Sequence, residues 1–325
     1  GCVERGALVA DGRTRAAGAV AGIRRVKNPV SVARAVMTSS PHVLLGGEGA
    51  DAFAAAHGAR VVDPGELITP ARREGLARVL AEEAAAAAAA AGSGSVHPAA
   101  AAAAAGFVTT EPGAASARTL VSTAATVAAA AAAASATAAS AADAGDHDTV
   151  GAVAIDGWGN IAAATSTGGL TGKLVGRIGD TPLFGAGGYA DNSVGGVSVT
   201  GTGEFIIRSL LSKTVCDAWE ADAARPAGMT RAAAAVRAAL ARMHRKVGSD
   251  GAGVIFIAPD GEVGVGHSSE RMSWAVCRGH TDHTFEADSD VELPVLDTSV
   301  VSVDTGATVE MRVLPTGPRF TPKER

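Results

Sequence analysis

The residues best equipped for chemistry crowd into one part of this 325-residue chain. Thr149 opens a run of small apolar residues, VGAVAID, and Thr165, Ser166 and Thr167 close a matching run, IAAATST. Two such runs separated by a short GWGN segment predict a hairpin, which returns the end of 161–167 beside Thr149. Arg177 and Asp180 follow in GRIGD, and Thr200, Gly201 and Gly203 stand in TGTGE at the end of a third strand-like run. Hydroxyls, a fork of N–H donors, a carboxylate and unshielded backbone N–H groups make an inventory for nucleophilic attack with oxyanion stabilisation. A threonine hydroxyl is a poor nucleophile without a base, and the histidines of this half fall into no Ser-His-Asp order. The remaining route uses a threonine whose own free α-amine is the base, which requires the peptide bond before it to be broken.

The position of Thr149 suits such a break. From about residue 84 to 145 the composition collapses to Ala, Ser, Thr and Gly, with few large apolar groups to offset the entropy of ordering. We read 84–148 as a flexible linker, and flexible segments tolerate nicking. Each residue alone has a plainer reading. Thr149 would serve β-propensity, Arg177 and Asp180 a solvated ion pair, and TGTGE a strand end with a helix cap. Only the ordered set behind a spacer favours catalysis.

The elements that must position these residues are legible in outline. ALVADGR (7–13) and AGAVAG (17–22) predict a hairpin, and NPVSVARAVM (28–37) a helix with Asn28 as cap and Pro29 at its first position. HVLLGGEGA (42–50) predicts a short buried strand, ADAFAAAHG (50–58) a short helix, and 68–84 a charged amphipathic helix. Past the spacer come the hairpin of two buried strands, a strand at 195–201, helices at 203–219 and 229–247, and a hairpin at 252–269 around Pro-Asp-Gly. Small residues alternate through 150–156 and 161–167, which predicts close packing against another layer. The order gives layered α and β structure rather than strict βαβ alternation.

Composition narrows the partners. A net charge of −5 and 3% aromatic residues argue against nucleic acid and an anionic membrane surface. The alanine tracts are too weakly hydrophobic to span a bilayer, and no signal peptide is visible. Cys2, Cys216 and Cys277 have neither disulfide nor zinc spacing, so we expect scattered thiols, a cytoplasmic setting and no metal ligands.

The blocks DTVGAVAIDGWGNIAAATSTGG, KLVGRIGDTPLFGAGGYADN and VTGTGEFIIR resemble the β-subunit core of the plant-type asparaginases and isoaspartyl peptidases. The resemblance continues in ADGRTRAAGAVAGIRRVKNPVSVARAVM, PHVLLGGEGADAFAAAHG and GAGVIFIAPDGEVGVGHSSERMSWAV. It implies an α+β fold, a four-layer αββα sandwich of the N-terminal-nucleophile hydrolase type. It also implies self-cleavage between Asp148 and Thr149, no organic cofactor, and an amino acid or β-aspartyl dipeptide as substrate. The implied assembly is an α/β heterodimer pairing into an (αβ)2 oligomer. By the same resemblance Thr149 is the nucleophile and its amine the base, Thr167 holds them in register, and Thr200 with the Gly201 N–H forms the oxyanion hole. Arg177 grips the substrate α-carboxylate, Asp180 pairs with its α-ammonium, and Gly203 admits backbone close to the bound amino acid. The parts expected are a truncated α-part at 1–83, the linker, a catalytic core at 149–285 and a C-terminal extension at 286–325.

The sequence departs from the family at the front. No HGGAG-like strand or LExxxxFNAG-like loop is found before GCVERGALVADGR, and Gly6 stands near the place of an expected aspartate. An incomplete sequence and a relative with impaired catalysis both fit that departure. Asp148, where many asparaginases of this type have glycine, also occurs in glycosylasparaginases, which supplies a rival substrate class.

Overall fold

The computed structural model describes residues 3–92, 149–222, 225–248 and 251–268, together with residues 272, 274, 276, 300–301 and 308–309. Asp148, Cys2, Cys277, the spacer from residue 93 to 148 and most of the 286–325 extension lie outside the described residues. Contacts divide the chain into two compact units, one of Gly1–Leu67, His147–Gly169 and Gly176–Arg325, the other of Ile68–Asp146 and Leu170–Val175.

In the larger unit, β1 (Arg5–Asp11) and β2 (Ala17–Ile23) form the first expected hairpin. Asp11 closes it by accepting the Arg13 N–H at 2.9 Å and the Thr14 hydroxyl at 2.9 Å, the local bonding that makes aspartate a turn residue. Helix α1 (Pro29–Ser39) then carries the chain over to β3 (Leu44–Gly46), which pairs parallel to β2, and α2 (Gly47–Ala56) follows. Beyond the spacer, β4 (Val150–Ile155) and β5 (Ile161–Thr167) pair as a hairpin, and β5 joins β1. The first sheet therefore runs β3-β2-β1-β5-β4. A second, antiparallel sheet runs β6 (Gly188–Asp191), β7 (Gly195–Gly201), β8 (Ala252–Ile257), β9 (Val263–His267). Helices α4 (Gly203–Ser209), α5 (Leu211–Glu220) and α6 (Arg231–Val247) complete this part, and a pair of two-residue strands occurs at Val300–Val301 and Thr308–Val309. In the smaller unit, α3 (Pro70–Gly92) is tied by a 3.2 Å bond from Arg72 Nη1 to Thr171 Oγ1.

Glycines let the layers approach. A Cβ on Gly18 of β2 would lie 2.1 Å from the Ala33 oxygen of α1, so helix backbone rests on strand backbone there. A Cβ on Gly264 of β9 would lie 2.6 Å from the Ala232 oxygen of α6. Between the sheets, a Cβ on Gly151 would meet Ser198 Oγ at 2.0 Å, and one on Gly196 would meet Ile161 Cγ2 at 2.6 Å. Side chains alternate across strands, so each sheet buries one face against the other sheet and one against helices. Val20, Ile23, Val32 and Val36 fill the α1 side, while Val197, Leu211, Val236 and Phe256 fill the far side. The result is the αββα sandwich of the expected α+β class.

Four local expectations change. The segment 203–219 is two helices, because Leu210 adopts a left-handed φ of 48° between α4 and α5. The break is satisfied locally: Ser209 Oγ donates to the Ile206 oxygen and Thr214 Oγ1 to the Ser209 oxygen. Strand β3 is short and largely exposed rather than buried, as is β4, whose first residue Val150 is 67% exposed. Strand β6 was not foreseen, since GYAD is too short and mixed for a period to show. Helix α3 runs on to Gly92, in keeping with the helix propensity of alanine.

Candidate active site

Two contacts set the register of one sheet on the other. Gly196 faces Ile161, and two residues on, Ser198 faces Gly151 and bonds Thr165 Oγ1 at 2.7 Å. Because Gly151 pairs with Thr165 and Ile155 with Ile161, each step along β7 from Gly196 moves toward the start of β4. The next two-residue step puts Thr200 at the end of the sandwich where Thr149 and Thr167 stand. Alternation also puts the three on facing surfaces: Thr149 shares the face of Gly151, Thr167 that of Thr165, and Thr200 that of Ser198. Thr149 Oγ1 donates to Thr167 Oγ1 at 3.1 Å, and the Gly169 N–H donates to the same Thr167 oxygen at 3.0 Å. Thr167, so anchored, fixes where the Thr149 hydroxyl points.

The ladder register fixes the direction of the Gly201 N–H. The Thr202 N–H donates to the Gly251 oxygen at 3.2 Å, which makes Gly201 and Ala252 a non-hydrogen-bonded pair of the β7–β8 ladder. The Gly201 N–H therefore points away from β8, on the side where β6 has already ended with Gly188 opposite Ser198. Only glycine fits here: φ is +132°, and a Cβ would lie 2.2 Å from the Gly251 oxygen.

The charged pair expected to read a zwitterion, Arg177 and Asp180, lies beside Gly203. Asp180 is 6% exposed, its Oδ2 has no hydrogen-bond partner among the described residues, and burial pushes its pKa up to about 6. Its own backbone N–H and Arg177 oppose that rise, and the Glu204 charge adds to it. Arg177 does not pair with Asp180. Its Nε and Nη2 each bond a Glu204 carboxylate oxygen at 2.9 Å. Burial works to raise the Glu204 carboxyl, but these bonds and the Arg177 charge outweigh it and hold the pKa below the usual range. A Cβ on Gly203 would lie 2.9 Å from both Arg177 Nη2 and Asp180 Oδ1, so the bare glycine leaves the space between cation and anion open. The loop holding Asp180 is tied to the threonines through Pro182, whose Cδ would lie 3.3 Å from a Cβ on Gly6, the β1 partner of Thr167.

Thr149, Thr167, Thr200 and Gly201 thus gather at one end of the sandwich, and Arg177, Asp180 and Gly203 gather beside one another. Glu204 and Ser198 escaped the sequence reading. Glu204 had a signal, an acid directly after TGTG, but helix capping accounts for an acid there equally well. Ser198 had one too, as the lone polar side chain in GGVSV. Cys216 is no rival nucleophile, because burial pushes its thiol up to about 12. Among the described residues no helix is long and apolar enough to cross a membrane.

Comparison with known proteins shows the family. An isoaspartyl peptidase of Salmonella typhimurium is 39% identical over 272 residues, covering 84% of this chain and 70% of its own. The isoaspartyl peptidase/L-asparaginase of Xenopus laevis is 34% identical over 283 residues, covering 87% and 72%. The Escherichia coli isoaspartyl peptidase is 37% identical over 269 residues, covering 83% and 67%. The pattern of the asparaginase family matches residues 1–286, and the chain belongs to that family.

Proposed function

We propose that this chain is a self-cleaving threonine amidohydrolase acting on L-asparagine, giving L-aspartate and ammonia, and on β-aspartyl dipeptides. One observation carries the reading: Thr149 just before β4, Thr167 at the end of β5 and Thr200 next to the end of β7 lie on the facing surfaces of the two sheets, with Thr149 bonded to Thr167. Cleavage between Asp148 and Thr149 would leave an α-part and a β-part beginning at Thr149, and would convert the Thr149 amide into an amine. That amine takes the hydroxyl proton as Oγ1 attacks the side-chain carbonyl of the substrate. The developing oxyanion receives the Thr200 hydroxyl and the Gly201 N–H. The amine then protonates the departing nitrogen, and a water deprotonated by the same amine hydrolyses the β-aspartyl ester.

Arg177 binds the α-carboxylate and Asp180 the α-ammonium, so the substrate is a free amino acid or an N-terminal β-aspartyl residue. The unpartnered Asp180 Oδ2 supports that assignment, since a buried carboxylate lacking a cation is costly. The assembly that fits this reading is an (αβ)2 oligomer.

The test is Thr149→Ala, with denaturing electrophoresis beside assays of L-asparagine, β-aspartyl dipeptides and N-glycosylated asparagine. The wild type is expected as two bands active on the first two substrates, and the variant as one inactive band. A variant that still splits would end the autocatalytic account, and activity confined to glycosylated asparagine would move the substrate class.

A further inference from the structure

The Arg177–Glu204 pair adds a part to the substrate site. A guanidinium has five N–H donors on two usable edges, one formed by Nε and Nη2 and the other by Nη1 and Nη2. Glu204 takes the first edge with two 2.9 Å bonds, and Nη1 has no hydrogen-bond partner among the described residues. Two glycines border the guanidinium. A Cβ on Gly179 would lie 3.0 Å from Nη1, and one on Gly203 would lie 2.9 Å from Nη2 and from Asp180 Oδ1. The Arg177 side chain is 16% exposed and that of Glu204 51%, so the acid holds the cation from the solvent side.

We propose that Glu204 is a positioning residue that clamps the Nε–Nη2 edge of Arg177, so that the Nη1–Nη2 edge meets the substrate α-carboxylate while Asp180 meets its α-ammonium. This rests on the amino-acid-binding reading above. Glu204 itself does not touch substrate. Without the clamp, a long side chain among bare glycines samples other rotamers, and the entropy of fixing it falls on each binding event. The second acid also makes the Asp180–Arg177–Glu204 cluster net negative by one charge, which favours a zwitterion over an N-acylated, anionic substrate.

The experiment uses the full-length, self-cleaved protein and Glu204→Gln, which keeps shape and loses charge. KM for L-asparagine or a β-aspartyl dipeptide is expected to rise about tenfold, with kcat changed less than about threefold. L-Aspartate affinity by calorimetry should weaken by a similar factor. With an analogue whose α-carboxyl is a carboxamide, wild type and variant should match, because the group that the clamp serves is gone. The acid limb of kcat/KM should move to lower pH in the variant, since a negative neighbour of Asp180 has been removed. Equal L-aspartate affinity in the two proteins, or an equal KM rise on the carboxamide, overturns the proposal. L-Aspartate binding that depends on Glu204 in a wild type without amidase activity would sink the hydrolase reading and leave this one standing. Glu204→Ala, which removes the acceptor altogether, should show the same pattern more strongly.

Discussion

On the proposed function Asp180 must be neutral enough to tolerate burial and ionised enough to attract an ammonium, and a pKa of about 6 sits between those demands. A carboxyl raised above its ordinary 3.8 contributes stability that is complete below that value and is lost as pH rises through about 6. Asp180→Asn should therefore raise the Tm of the ligand-free protein at pH 7.5 and leave it unchanged at pH 4, as scanning calorimetry can check. In the wild type kcat/KM should fall about tenfold per pH unit below pH 5, as protonated Asp180 releases the ammonium. Arg177→Lys should raise KM at least about tenfold, because a single ammonium cannot serve both the Glu204 carboxylate and a bidentate substrate. At this scale residue types and the Thr149–Thr167 pairing across the hairpin were readable, and the pairing of the loop charges was not. GRIGD shows a cation beside an anion, yet Arg177 turns to Glu204, 27 positions along the chain. A linear string carries no record of which way a side chain leaves a loop.

Strand β4 depends on what it lacks. Gly151 is flush with Ser198, so Gly151→Ala forces a methyl into the inter-sheet contact. Overpacking of that kind costs about 1–3 kcal/mol, and here it also lifts the strand that begins beside Thr149. We expect Gly151→Ala to lower Tm and to slow the appearance of two bands on denaturing gels. Gly49→Ala is the control: nothing lies within 4 Å of its Cβ position in α2, and the change should stabilise by about 0.5–1 kcal/mol. Alternating small residues in 150–156 and 161–167 made this close packing legible. Helix continuity at 203–219 was less so, because an apolar stripe survives a single left-handed residue such as Leu210 without losing phase. Burial of β3 and β4 was misjudged for a related reason: apolar composition marks a strand, whereas its place at a sheet edge depends on partners far away in sequence.

The whole sandwich is woven from both sides of the proposed cut. Strands β1, β2 and β3 precede it, β4 and β5 follow it, and β1 pairs on one flank with β2 and on the other with β5. Two polypeptides so interleaved share one core, and cleavage should leave their association intact. Size-exclusion chromatography of fully cleaved protein should give one peak containing both chains, separable only by denaturant. The position of β1 also governs order in time. The groups that would sever the backbone stand together only after strands from both sides have been laid down next to each other. Folding is then the licence for scission, and a chain nicked beforehand would hold two fragments, each missing its neighbour's half of the first sheet.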